Sequence, residues 1–313
     1  MSKLNMLFAA FVIALLNVSC QSKKINSEER AIQIDYKGKY ETLLKDKKYD
    51  ELHEHLRVWE SKEANNPELY MAYFNYYINK SKSLQIFPDK EGKNGNHTFT
   101  VYHHETGEAV GSFSGSLQYD KDDFIKAVEY LDKGLGFAPN RLDMRFEKIH
   151  VLNKIGHYRD AGNELCASLE FSKKIDNNWL WANNEKVEKG ESFFFSNMGD
   201  YYQSWLDAKT EESLDQVKKC IEKQIELYSA NIFAYDLLGI YYIMKGQLQE
   251  TLKYFLQAEM LDPNDCITLM KIGQIYLEMD DKQKAKEYFT KVLNIGNEED
   301  KEVAKDFLNN MAQ

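Results

Sequence analysis

Leu238-Gly239-x-x-Tyr242 returns 34 residues later as Ile272-Gly273-x-x-Tyr276, and the match extends well past one motif. Phe255 aligns with Phe289, Tyr235 with Leu269, Thr251 with Ala285 and Ala258 with Val292. A fixed period of this length excludes a single closed core. It calls for one supersecondary unit stacked on copies of itself, because one unit alone cannot bury its apolar face.

The unit over 232–265 reads as two helices. The first, about 232–244, carries Phe233, Leu237, Leu238, Ile240, Tyr241 and Tyr242, and Gly246 breaks it. The second, about 248–261, places Leu248, Leu252, Phe255, Leu256 and Ala258 on one stripe. Asp262-Pro263-Asn264 ends it, since proline cannot continue the hydrogen-bond ladder. Gly239 and the small Thr251 let the two helices approach closely, while Tyr235, Tyr242 and Phe255 fill the space toward the next unit. The pattern resembles the tetratricopeptide repeat, W-x2-L-G-x2-Y followed by A-x3-F and P, with Tyr235 in the tryptophan place and Thr251 in the alanine place. The resemblance implies an all-α, right-handed helical solenoid that displays a binding surface.

The next unit, about 266–299, repeats the pattern with Asn297 in place of the proline, and a polar helix over 299–312 with Val303, Phe307 and Leu308 on one side caps the array. Upstream the match weakens. Phe195, Met198, Gly199 and Tyr202 open a unit lengthened by six residues, with its second helix at about 212–228. Further pairs are expected at 141–155 with 158–173, at Tyr70–Tyr77 with 121–137, and at 36–47 with 49–62, giving about six pairs.

Two segments interrupt the array. Within 85–119, His97–His104 alternates with β-forming residues, Glu105-Thr106-Gly107-Glu108 supplies a turn, and Ala109–Ser114 returns, which predicts a β-hairpin beside the Gly/Asn/Lys loop 89–96. Over 176–191, Trp179 and Trp181 flank a loop. They either anchor a partner or plug the space between neighbouring pairs.

The first twenty residues are an address. Lys3 precedes the apolar run Met6–Leu16, too short for a bilayer, which needs about 20 residues, but suited to a secretory signal. The run ends in Leu16-Asn17-Val18-Ser19-Cys20, which resembles a bacterial lipobox with Asn17 at the usual leucine place. Together with its Lys/Asn/Tyr-rich character, the chain resembles a Bacteroidota-type tetratricopeptide lipoprotein. An ordinary signal peptide with a nearby cysteine is the alternative. Gln21 in place of Asp favours the outer membrane, with the body in the periplasm. The expected organisation is a signal peptide over 1–19, a flexible tether over 20–33, a helix-pair array over 34–298 with the 85–119 insert, and a capping helix over 299–313.

Little chemistry competes with this reading. The net charge of −10 and the lack of a basic run argue against nucleic acid. No hydrolase, nucleotide-binding or zinc motif occurs, so the chain reads as non-catalytic, without metal or cofactor. His103-His104, taken as neighbours on a strand, would face opposite ways. Cys166, Cys220 and Cys266 lie in or beside apolar helix patterns, as small buried hydrophobes or as one bridge. The resemblance places the binding groove at the second, fifth, ninth and twelfth places of each first helix. These are Phe193, Ser196, Asp200 and Gln203; Phe233, Asp236, Ile240 and Ile243; and Ile267, Met270, Gln274 and Leu277. Such a groove, apolar to mildly acidic, suits an amphipathic helix or an extended peptide, unless some of these residues pack internally. The expected function is a lipid-anchored protein-binding scaffold of the bacterial envelope. The alternative is an envelope receptor for a small ligand or glycan, using Trp179, Trp181 and the hairpin aromatics. Labelled palmitate is expected to enter the full chain and to be lost in Cys20→Ala; a wild type that takes up none refutes the anchor.

Overall fold

A computed structural model describes residues 35–88 and 97–311. The expected signal segment, Cys20, the tether and the loop 89–96 lie outside the described residues. Among the described residues twelve helices follow one another in six couples: α1 (Tyr36–Lys45) with α2 (Tyr49–Glu63), α3 (Pro67–Lys80) with α4 (Lys121–Phe137), and α5 (Leu142–Lys154) with α6 (Tyr158–Lys174). There follow α7 (Gly190–Ala208) with α8 (Glu211–Leu227), α9 (Ile232–Met244) with α10 (Leu248–Leu261), and α11 (Cys266–Glu278) with α12 (Lys282–Ile295). A last helix, α13 (Glu298–Met311), packs on α12. The fold is a tetratricopeptide-type helical array.

Local chemistry sets the helix ends. Asn66, Asp120, Thr210, Asn231, Asp265 and Asp281 each accept a backbone N–H of the first turn through the side chain. The turn within a pair needs one left-handed residue. Gly156 (φ +76°) and Gly246 (φ +67°) supply it after α5 and α9, and Lys47, Lys209 and Asp280 do so in three other pairs. Asp280 stands 34 residues after Gly246, so the turn geometry repeats with the period although the glycine does not.

The fifth and sixth pairs are interlocked by glycine under phenylalanine. A methyl group on Gly239 would lie 2.2 Å from Phe255 Cε1, and one on Gly273 would lie 2.8 Å from Phe289 Cε1. Phe255 closes its own pair and also reaches the next unit, sharing a buried cluster with Leu269 and Ile272 and lying under the Lys271 ammonium at 5.7 Å. Thr251 also donates to the Gly239 carbonyl at 3.4 Å. The fourth pair is longer in both helices, since α7 has 19 residues against 13 in α9 and α8 has 17 against 14 in α10. At the end of the array Phe307 stacks on Phe289 with centroids 4.8 Å apart, and Ala304 is buried. Val303 is exposed, contrary to the expected face, because Ala304 occupies the position closest to α12.

The insert between α3 and α4 holds the expected hairpin, β2 (His97–Tyr102) with β3 (Ala109–Tyr119), together with a third strand, β1 (Lys82–Pro88). The order is β1-β3-β2, antiparallel throughout. The returning strand runs to Tyr119 rather than stopping at Ser114, which gives it a free edge long enough to pair with β1 from Lys82↔Tyr119 to Pro88↔Phe113. Asp120 N–H donates to the Ser81 carbonyl at 2.9 Å, so the sheet leaves and re-enters the array at one point. That closure lets α3 and α4 pack as an ordinary pair despite the intervening chain.

Gly239→Val is expected to cost about 1–3 kcal/mol through overpacking and Phe255→Ala about 3–5 kcal/mol through the cavity. Their combination is expected to cost less than the sum, because the space vacated by the ring accepts the new side chain. Denaturation followed by circular dichroism reads this, and simple additivity would show that the two residues do not share the space.

Candidate functional site

Three first helices, α7, α9 and α11, carry the expected groove residues at helical spacing, so each set falls on one face. The faces are joined side to side. The Phe233 ring of α9 lies over Gly199 of α7, where an added methyl would sit 3.4 Å from Phe233 Cζ. Asp236 of α9 pairs with Lys271 of α11 at 3.0 Å. The large apolar members stay in solvent: Phe193 is 36% exposed, Phe233 45%, Ile243 43% and Ile267 58%. Ser196, Asp200, Gln203 and Gln274 are exposed as well, while Ile240, Met270 and Leu277 are half-buried and pack against the array's core clusters or beside them.

The pairing of Asp236 changes the electrostatics. Burial raises its carboxyl above the ordinary range, and the Lys271 ammonium opposes that rise. The acidity expected from Asp236 is thereby neutralised by a lysine one repeat further on, a partner outside the four groove places. Gln203 is held by its own helix, donating to Asp207 at 2.9 Å. The face that remains is mainly apolar, with Asp200 as its exposed carboxylate.

The tryptophan segment divides. Trp179 is fully buried (0% exposed), so it does not anchor a partner. Its ring sits between Phe171 of α6 (5.8 Å) and Phe194 of α7 (5.4 Å), with the Arg145 guanidinium over it at 6.0 Å. It plugs the junction between the third and fourth pairs. Trp181 is half-buried and meets Phe193 edge-on at 5.4 Å and Phe146 at 6.4 Å, forming the border of the groove face.

What fixes this segment is a buried arginine that sequence patterning does not single out. Arg141, fully buried, donates to both carboxylate oxygens of Asp143 (2.8 and 2.7 Å) and to Glu68 of α3. Glu68 also accepts the Asn183 backbone N–H at 2.8 Å, and Leu142 N–H donates to the Leu180 carbonyl at 2.9 Å. A bidentate guanidinium is a suitable group to join three segments in a dry site, because its planar fork matches carboxylates.

His103 and His104 lie in the turn after β2, where strand alternation no longer applies. With Glu105 their ligand atoms come within 4.8 Å of one another, all three residues being exposed. His103 Nδ1 already accepts the backbone N–H groups of Glu105 (3.3 Å) and Thr106 (3.4 Å), which leaves Nε2 as its outward atom.

The fold is a helical-repeat array of the tetratricopeptide type, and this face is its candidate display surface. Over residues 241–313 the chain matches the family model "Regulator of microtubule dynamics protein 1-3". It is 28% identical over 114 residues to "Uncharacterized protein ycf37" of Pyropia yezoensis, covering 36% of this chain and 63% of that one. The chain thus spans less than two thirds of that curated relative's length. Among solved structures it is similar to a MamA protein (18% identity, 56% of this chain and 83% of that one, TM-score 0.34). It is also similar to YrrB, described as a TPR protein with an unusual peptide-binding site (17%, 59% and 84%, TM-score 0.36). A third is the C-terminal part of a TPR repeat-containing protein of Cytophaga hutchinsonii (14%, 82% and 78%, TM-score 0.39).

Lys271→Met is expected to destabilise the protein by about 1–3 kcal/mol near neutral pH by leaving the Asp236 carboxylate half-buried without its cation. Losing the lysine raises the folded-state pKa of Asp236 further above its unfolded value. The penalty therefore grows as pH rises from the unfolded to the folded pKa and disappears below both. Thermal melts of variant and wild type are expected to converge at acid pH; a constant gap at every pH would assign the loss to packing instead.

Proposed function

We propose that the protein is a non-catalytic scaffold that binds a protein or peptide partner across the face of α7, α9 and α11, and that a lipid on Cys20 tethers it to the bacterial envelope. The observation that carries the binding reading is the row of exposed Phe193, Phe233, Ile243 and Ile267 on adjoining first helices. Isolated exposed apolar residues are ordinary, whereas Phe193, Phe233 and Ile267 recur at the same place of successive first helices, with Asp200, Gln203 and Gln274 on the same faces, and a surface of that kind is one an amphipathic helix or extended segment recognises. The envelope reading draws on the apolar run Met6–Leu16 and on Ser19-Cys20. No helix among the described residues is long and apolar enough to cross a membrane. With the body held by the lipid, the outer membrane facing the periplasm is the proposed location, and a role in assembling an envelope complex follows.

A receptor for a small ligand is the second reading. The burial of Trp179 removes one of its stacking surfaces. One observation still favours it, an open cleft of about 520 Å³ at the start of α7, lined by residues including Asp176, Lys186, Glu188, Lys189 and Ser192. A strong rise in melting temperature with a sugar or metabolite would support the receptor over the scaffold.

A photo-cross-linking residue at Phe233 is expected to capture a defined partner in the native envelope, and one at exposed Lys253 of α10 is not. Ile267→Asp is expected to reduce capture at least tenfold while leaving the thermal midpoint within about 2 °C, since that side chain is 58% exposed. Equal capture from both helices would overturn the assignment of the face.

A further inference from the structure

The junction between the third and fourth pairs lacks the glycine–phenylalanine interlock of the later pairs; Gly199 of α7 meets Phe233 of α9 rather than a residue of α8. The second helices α6 and α8 pack against each other there instead. Gly162 allows their approach, since a methyl group on it would lie 2.3 Å from Gln216 Oε1. One turn further along both helices, Cys166 Sγ and Cys220 Sγ are 3.1 Å apart, both residues buried. At the far end of the same seam Ser172 Oγ and Tyr228 OH are 2.6 Å apart. The contacts 162/216, 166/220 and 172/228 advance together, so the two helices run in the same direction and in register.

We propose that Cys166 and Cys220 are a disulfide-forming pair that covalently clamps the second helix of one repeat to that of the next. Two sulfurs closer than ordinary thiol contact need only small side-chain rotations to reach the bonded separation of about 2.05 Å. Several features suit the chemistry. The Cys220 Sγ also lies 3.3 Å from the Gly162 carbonyl oxygen, which places it against α6. The hydrogen bond from Cys220, followed by Lys219 and Lys223, draws the Cys166 thiol below its ordinary range, whereas burial pushes Cys220 up. Cys166 is therefore the attacking sulfur.

The step balances with a small-molecule disulfide as oxidant. Cys166 gives its proton to water, and its thiolate attacks one sulfur of the oxidant, expelling a thiolate and leaving a mixed disulfide. The Cys220 sulfur, deprotonated in turn, attacks Cys166 Sγ and expels the second thiolate. Two S–H bonds are lost, one S–S bond is gained, and the oxidant is reduced to two thiols. The seam must open to admit the reagent, so exchange is fastest while the chain folds. This pairing depends on the α6–α8 packing alone and stands or falls independently of the lipid anchor and of the partner.

The test uses the full chain purified with reductant, refolded with oxidised glutathione, alkylated in denaturant and digested without reduction. The expected product is a linked peptide pair containing Cys166 and Cys220, two hydrogens lighter than the separate peptides and abolished by reductant. It is expected to persist in Cys266→Ser and vanish in Cys220→Ser. The oxidised wild type is also expected to melt higher than the reduced wild type, by on the order of 10 °C. This comparison needs no variant to fold. Full alkylation of both thiols after oxidation, a bridge to Cys266, or identical melting of the two forms would each overturn the clamp.

Discussion

The whole array depends on how closely two helices of a pair can approach, and in the regular region that distance is set by a phenylalanine lying on a glycine. Phe255 occupies the space that a side chain on Gly239 would need, and Phe289 does the same on Gly273. With no side chain on the glycine, the phenylalanine ring lies directly on the facing backbone, and each of these pairs becomes a slab with large residues projecting toward its neighbours. Leu252, Phe255 and Leu269 then sit in a core shared between slabs, and Ala304 and Phe307 of the last helix close the exposed end. Stability in such an array is a sum of pair terms and neighbour terms, so each junction matters locally.

The irregular part of the chain solves the same packing problem by other means. Where the glycine–phenylalanine contact is missing, Trp179 fills the junction, Gly162 lets α6 approach α8, and Arg141 holds the connecting segment to α3 and α5. The three-stranded sheet enters and leaves between Ser81 and Asp120, adding a protrusion without separating α3 from α4. These devices preserve the stacking direction while allowing the surface to vary, which is how a repeat scaffold acquires features of its own.

The functional face follows from the same geometry. Residues at the second, fifth, ninth and twelfth places of a first helix cannot take part in the glycine–phenylalanine contact, so they are available for display. Phe233 and Asp236 show the two fates open to them. Phe233 bridges to α7 and still exposes much of its ring, whereas Asp236 is consumed by Lys271. A position on the correct face is thus necessary for binding without being sufficient.

Periodicity alone made the helix pairs, their order and the capping helix legible, because a 34-residue offset in Gly, Tyr and Phe reflects a contact repeated in every regular unit. Even the six extra residues of the fourth pair were visible, although their division between α7 and α8 was not. What the sequence could not disclose are contacts between residues remote along the chain: Arg141 with Glu68, Asp236 with Lys271, Cys166 with Cys220, and β1 with the end of β3. Local pattern determines which elements form and which face of each is apolar. Only tertiary packing decides which tryptophan is a plug, which carboxylate is already paired, and which thiols meet, because those outcomes depend on what the neighbouring repeat brings to the same point in space.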